Sequence, residues 1–163
     1  MSITVRKYED RDIPEMTAIW NSVVDDAAAF PQDTPLDERS AAEFFAAQTF
    51  TAAAVDSGTG EIVGMYILHP NNVGRCGHIC NASYAVKKSR RGEHIGEILV
   101  RDSLSAGRKN GFRILQFNAV TASNKGAQAL YEKIGFTQAG MIPAGFRRGD
   151  GTYDDIFIYY INL

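Results

Sequence analysis

The apolar residues of this chain change period several times along its length. The order of those changes restricts the fold more than any single motif does. Ile3, Val5 and Tyr8 have the spacing of a first strand. Asp12-Ile13-Pro14-Glu15 reads as a helix start, with a capping aspartate, an early proline and a glutamate three residues on. Met16, Ile19, Trp20, Val23, Val24 and Ala27 then recur at helical spacing. Pro31 and Pro35 break the chain, and a second helix fits 37–48 with Phe44 and Phe45 buried. Thr49–Val55 and Ile62–Leu68 read as strands joined by the turn Asp56-Ser57-Gly58-Thr59-Gly60. A strand over Gly77–Val86, a helix from Ile95 to Asn110 and a strand over Arg113–Val120 follow. Asn124 opens a further helix that stops at Gly135. A short strand Phe136–Ala139, a glycine-rich loop over 141–152 and a last strand Tyr153–Ile161 complete the chain. The order β-α-α-β-β-β-α-β-α-β-β mixes hairpins with crossover helices. It predicts an α+β (α/β) architecture, a mixed sheet flanked by helices. A doubly wound dinucleotide-binding fold, which needs a strict βαβαβ series, fits poorly.

At 163 residues the chain is expected to form a single domain, 1–163, around one substantial core. A hydrophobic fraction of 45% and a charged fraction of 22% exclude wholesale disorder. The formal net charge of −2 leaves no basic surplus for coating a nucleic acid. No apolar run approaches the ~20 residues of a membrane span. Met1-Ser2-Ile3-Thr4-Val5-Arg6 lacks the apolar stretch of a signal peptide, so the expected location is cytoplasmic. Cys76 and Cys80 sit four apart in the predicted strand, roughly 13 Å at ~3.3 Å per residue. That exceeds the reach of a disulfide, about 7 Å between Cα atoms. The same extension prevents Cys76, His78 and Cys80 from closing on one zinc ion, so no metal is expected.

Two segments carry chemistry. Tyr84-Ala85-Val86-Lys87-Lys88-Ser89-Arg90-Arg91-Gly92-Glu93-His94-Ile95-Gly96 joins a strand to a helix. The first N–H groups of a helix have no internal partner and stand at the positive end of its dipole, where a pyrophosphate fits. Lys87, Lys88, Arg90 and Arg91 add positive charge. A solvated basic turn capped by glycine is the plain alternative. The segment is neither a Walker loop nor a Gly-x-Gly-x-x-Gly loop. The second segment, Asn124 to Phe136, is a short capped helix with Ala127, Leu130 and Ile134 as its apolar stripe. Asn124 and Tyr131 fall near one face, two turns apart. A phenol, with an unperturbed pKa of ~10, suits donating a proton to a thiolate, while a packing tyrosine is the plain alternative.

Together the two segments resemble the GNAT superfamily of acetyl-CoA-dependent N-acetyltransferases. Arg91-Gly92-Glu93-His94-Ile95-Gly96 looks like its Arg/Gln-x-x-Gly-x-Gly/Ala motif, and Asn124…Leu130-Tyr131-Glu132-Lys133-Ile134-Gly135-Phe136 like its second cofactor-side motif. The resemblance covers most of the chain, best from about 62 to 161. It implies the acyl-CoA N-acyltransferase fold, about seven mostly antiparallel strands with helices on both faces, and acetyl-CoA as co-substrate. It implies that backbone around Tyr84, Ala85 and Val86 pairs with the pantetheine arm and supplies an oxyanion donor. The amides of Arg91, Gly92, Glu93, His94, Ile95 and Gly96 would hold the pyrophosphate. Asn124 and Ala127 would contact the cofactor, and Tyr131 would sit near the sulfur as general acid. His94 departs from the motif's middle glycine. A side chain fits there if φ is negative and the ring points outward.

A narrower likeness joins His69-Pro70-Asn71-Asn72-Val73-Gly74-Arg75-Cys76-Gly77-His78-Ile79-Cys80-Asn81-Ala82 and Phe117-Asn118-Ala119-Val120 to N-acetyltransferases of proline analogues such as azetidine-2-carboxylate. It implies that Asn81 and Asn118 line the substrate site, with Asn118 also beside the acetyl carbonyl. The alternative for both is a bond to backbone at a splay or bulge. His78 is the candidate base by residue type, or else an ordinary strand residue. Asp154 and Asp155 are candidate carboxylates for a cationic amine, Asp155 by resemblance, with pinning of the 141–152 loop as its alternative role. The expected activity is acetyl transfer to a small primary or secondary amine, such as an amino acid or analogue. An N-terminal peptide acetyltransferase and a non-catalytic CoA-binding module stay open as alternatives. A homodimer is implied only by analogy.

Overall fold

A computed structural model describes residues 2–163. Strands β1 (Ile3–Lys7), β2 (Phe50–Asp56), β3 (Ile62–Pro70), β4 (Ile79–Val86), β5 (Ile114–Thr121), β6 (Thr137–Arg147) and β7 (Tyr153–Asn162) form one sheet in the order β1-β2-β3-β4-β5-β7-β6. Neighbours run antiparallel except β4 and β5, which are parallel. Parallel strands need a crossover, which α3 (Ile95–Lys109) supplies. Helices α1 (Ile13–Asp26), α2 (Glu38–Ala46) and α4 (Lys125–Ile134) complete the fold. Alternate residues of the central strands enter two cores. Ala52, Ala54, Tyr66 and Leu68 pack with Leu99 and Val100 of α3. Ala53, Met65 and Ile67 pack with Met16 and Trp20 of α1 and Phe45 of α2. With both faces covered, Ile62–Leu68 reads as an unbroken apolar run rather than an alternation.

Several boundaries differ from the sequence expectation. β4 begins at Ile79, not Gly77, because Gly74–Cys76 forms a 3-10 turn. Cys76 therefore stands outside the strand, and the extended-chain spacing does not separate it from Cys80. Both are free thiols, Cys76 exposed and Cys80 buried. Burial pushes the Cys80 thiol up to about 12, so it is chemically quiet. Among the described residues no group of three or more His, Cys, Asp or Glu could hold a metal, and no helix is long and apolar enough to cross a membrane. Asp12 does not cap α1. Its carboxylate turns back to accept from Arg6 Nη1 at 2.6 Å and from the Glu9 N–H at 2.8 Å. Pro143-Ala144-Gly145 reads as loop but lies inside β6, where the register shifts between Ile142 and Phe146. Ala144 has φ 52° there, and its N–H donates to Asp155 Oδ1 at 2.9 Å. The turn residues make a bulge that bends an edge strand.

The acid limb of stability follows from the ion pairs. Hydrogen bonds from Lys88, Arg90, Lys87 and Lys133 hold Asp26, Asp56, Glu61 and Glu97, respectively, below the usual carboxylate range. The unfolded chain takes up protons near pH 4, whereas these folded carboxylates resist until lower pH. Their contribution is therefore intact at neutral pH and disappears as pH falls from about 5 towards 2. The expected Tm is level between pH 7 and 5.5 and drops steadily below. A Tm that holds level down to pH 3 contradicts this account.

Candidate active site

The site begins where the parallel ladder ends. β4 and β5 pair only at Ile79–Ile114 and Cys80–Leu115, and then they splay. Asn81 wedges the opening, its Nδ2 donating to Gln116 O at 3.0 Å. On the other edge of β4, Asn71 N–H donates to Ile79 O and Lys87 N–H to Val63 O. Backbone direction alternates along a strand, so the odd residues of β4 serve β3. The N–H and C=O groups of Ala82, Tyr84 and Val86 consequently face the gap. Ala85, expected with Tyr84 and Val86 at the cofactor, turns its backbone to β3 and buries its side chain on the α1 side.

Two cavities open from the gap. The larger, about 850 Å³, runs along the mouth of α3 and includes Tyr84, Val86, Arg91, Gly92, His94 and Gly96 in its wall. The smaller, about 300 Å³, lies between the splayed strands and includes His69, Asn81, Asn118 and Tyr131. Tyr84, Asn124 and Ala127 line both, so the cavities meet there. The residues Ala29–Gln32, between α1 and α2, roof the smaller one.

The two site tyrosines have different commitments. Ser103 Oγ donates to Val100 O at 2.7 Å, so the Tyr84 hydroxyl, 2.7 Å from Ser103 Oγ, is the donor of that pair. Its proton is fixed. Tyr131 packs on Phe117 and Phe136, at centroid distances of 4.4 and 5.4 Å. Its hydroxyl has no acceptor among the described residues, and no buried side-chain oxygen there is left unpaired, so it opens into the cavity. Burial pushes the Tyr131 phenol upward, which keeps it protonated at neutral pH.

At the mouth of α3, no acceptor among the described residues takes the N–H of Gly92, Glu93, His94, Ile95 or Gly96. Arg91, expected among them, donates its N–H to Lys88 O. The basic side chains are largely matched by carboxylates, unlike the free positive cluster that the sequence suggests. Lys87 pairs with Glu61, and Lys88 and Arg91 share Asp26. Arg90 is gripped by Asp56, Glu61 and Glu93, which makes it a staple of the turn. Arg148, which nothing in the sequence singles out, lines the same cavity from the β6–β7 hairpin.

His94 contradicts the condition of negative φ. It sits at φ 60°, although its side chain is exposed as required. A non-glycine residue in this left-handed region costs roughly 1–2 kcal/mol, and a new glycine returns about 0.4–1 kcal/mol as unfolded-state entropy. His94→Gly is therefore expected to stabilise by about 0.5–1 kcal/mol, read as a raised midpoint in urea. A lowered midpoint contradicts this account.

Of the expected substrate residues, Asn81 and Asn118 come to the smaller cavity. Asn118 lies at the β5 irregularity, exposed, donating from Nδ2 to Asn71 Oδ1 at 2.6 Å and accepting from Gln116 Nε2 at 3.0 Å. Asn81 spends its amide nitrogen on backbone, as its alternative reading has it, and keeps Oδ1 available. Asn124 accepts from Ala127 N–H through Oδ1 as the cap of α4. The structure does not bring His78 to the site. It lines a separate depression with Arg113 and Leu163. Asp155 pins Ala144, its alternative role, Asp154 accepts from Ser123 N–H, and neither lines the two cavities. Sequence reading missed His69, Gln116, Asn71 and the 29–32 roof. His69 was recoverable, because antiparallel pairing through the 71–78 connection sets it opposite Asn81.

Fold and gap together are those of an N-acetyltransferase. The chain belongs to the Acetyltransferase (GNAT) family, whose model matches residues 16–136. It is similar to N-acetyltransferase aca1 of Schizosaccharomyces pombe, 30% identical over 94% of this chain and 81% of that protein. It is also similar to the L-methionine sulfoximine/L-methionine sulfone acetyltransferase of Pseudomonas paraeruginosa, 25% identical over 100% of this chain and 96% of that protein. Among solved structures, the GNAT superfamily phosphinothricin acetyltransferase from Sinorhizobium meliloti, in complex with AcCoA, shares the fold. Its TM-score is 0.91 at 21% identity, covering 100% of this chain and 89% of that one.

Proposed function

We propose that this chain, acting as one domain, transfers an acetyl group from acetyl-CoA to the primary or secondary amine of a small molecule, an amino acid or amino-acid analogue, by direct attack in a ternary complex. The observation that carries the reading is the meeting of two cavities at Tyr84, Asn124 and Ala127, beside the unpartnered hydroxyl of Tyr131. The residues present fit the donor. The free amides of Gly92–Gly96 suit a diphosphate. The open ladder positions of Ala82, Tyr84 and Val86 suit an extended amide-bearing arm added as a strand. Acetyl-CoA supplies an activated acetyl thioester and a thiol leaving group. One of the gap-facing N–H groups of β4 holds the developing oxyanion. Tyr131 gives its proton to the departing sulfur. Asn118 and the Asn81 amide oxygen orient the acceptor in the smaller cavity, whose volume of about 300 Å³ suits a small molecule. The amino-acid analogues in the name of the Pseudomonas relative point the same way.

The test mixes purified protein with acetyl-CoA and a panel comprising L-methionine sulfone, L-proline, azetidine-2-carboxylate and a short peptide with a free N-terminus, and follows free thiol. The expected result is release with a free amino acid or analogue, faster than with the peptide. A preference for the peptide turns the reading to N-terminal acetylation. Tight acetyl-CoA binding by calorimetry with no thiol release from any amine turns it to a non-catalytic module. Failure of both binding and release sinks it.

A further inference from the structure

The smaller cavity contains a proton acceptor that the reading above does not use. Among the described residues its wall includes no aspartate, glutamate, lysine or arginine, and its titratable side chains are His69, Tyr84 and Tyr131. The Tyr84 proton is committed to Ser103, and burial pushes both phenols upward, so neither tyrosine can take up a proton near neutral pH. His69 is half-buried near the end of β3, opposite Asn81 in the register. Its Nδ1 lies 2.9 Å from Pro70 O. A carbonyl can only accept, so Nδ1 carries the hydrogen, and Nε2 is left with a lone pair and no partner among the described residues. One hydrogen bond thus fixes the tautomer that a general base requires, on a strand rather than a loop.

We infer that His69, through Nε2 and directly or by one water, is the base that deprotonates the acceptor ammonium in this cavity. The inference rests on the transferase reading above. The balance closes as follows. Nε2 takes one proton from R–NH₃⁺, and the freed amine forms the N–C bond while the C–S bond breaks with its electron pair going to sulfur. Sulfur receives the Tyr131 proton, and the second nitrogen proton restores Tyr131. His69 then returns its proton to solvent, so one proton is released per acetyl group transferred. An uncharged cavity also favours the neutral amine over its ammonium form.

The experiment measures kcat/KM against pH with the fastest acceptor of the panel for wild type, His69→Gln and His69→Asn, with acetyl-CoA affinity and Tm as checks of folding. Wild type is expected to show a limb that rises with pH. Both variants are expected to lose that limb and to fall roughly tenfold or more at pH 7, with acetyl-CoA affinity unchanged and partial rescue by added imidazole. Variants that keep the limb, whether at full rate or uniformly slowed, overturn the inference and leave the transferase reading standing. A wild type that releases no thiol removes both together. If one variant fails to bind acetyl-CoA, the other decides.

Discussion

Replacing Tyr131 by phenylalanine is expected to lower kcat about 100-fold while leaving acetyl-CoA affinity within twofold of wild type. The change deletes one oxygen and keeps the ring that packs on Phe117 and Phe136. That oxygen bonds to nothing among the described residues, so no partner there is orphaned and stability is expected to stay level. What disappears, in the proposed reaction, is the proton that meets the leaving thiolate. General acids contribute typically 10²–10⁴-fold, and the low end applies because a thiolate leaves more readily than an alkoxide. An interaction made only as the C–S bond breaks lowers kcat and kcat/KM together. Stopped-flow thiol detection at saturating acetyl-CoA measures the first, and calorimetry measures the affinity. A rate within threefold of wild type removes Tyr131 from the chemistry. A matched loss of affinity makes it a wall of the donor cavity instead.

The sequence carried the fold class because the local signals agreed with the global one: caps, turns and apolar period indicate the same element order. It misjudged places where a local signal serves a tertiary purpose. Pro143-Ala144-Gly145 signals a loop, and the structure spends those residues on a bulge that Asp155 pins from β7. Asp12 has the identity of a cap, but a guanidinium on β1, next to Val5, competes for its carboxylate: Arg6 binds both oxygens, at 2.6 and 3.0 Å. The basic turn shows its charges in sequence, while the carboxylates that neutralise them come from Asp26, Asp56 and Glu61, far away along the chain.

The site divides in the same manner. The α3 mouth and the Asn124–Tyr131 face are each built from one contiguous stretch of chain, so both stand in the sequence as motifs, and their proposed roles come from the family resemblance rather than from spacing. The smaller cavity is assembled from β3, β4, β5, α4 and the 29–32 segment, and only tertiary packing brings those pieces together. His78 attracted attention by residue type, yet β4 starts after it and carries it away from the gap. His69 has the same chemistry, and the motif it opens assigns it no role. It enters the site because β3 runs antiparallel to β4 and faces Asn81.

Ala127 gives the steric counterpart of the Tyr131 experiment. It stands on the first turn of α4, half-buried, and lines both cavities where they meet. A donor whose diphosphate sits at α3 and whose thioester reaches Tyr131 must pass this point. Ala127→Trp is expected to fill the passage and weaken acetyl-CoA binding at least about 100-fold, or about 2.8 kcal/mol. The cap is untouched, because Asn124 accepts from the backbone N–H of residue 127 rather than from its side chain. The fold is therefore expected to survive, with a cooperative thermal transition. Ala127→Ser adds one small atom and is expected to bind normally. ADP, which has the diphosphate but no pantetheine arm, is expected to bind wild type and the tryptophan variant alike, since the amides of Gly92–Gly96 remain open. Calorimetry on the three proteins with both ligands separates the outcomes. Normal acetyl-CoA binding by the tryptophan variant places the donor elsewhere. Parallel loss of ADP and acetyl-CoA means that the substitution has disturbed the α3 mouth, and the passage then has no support.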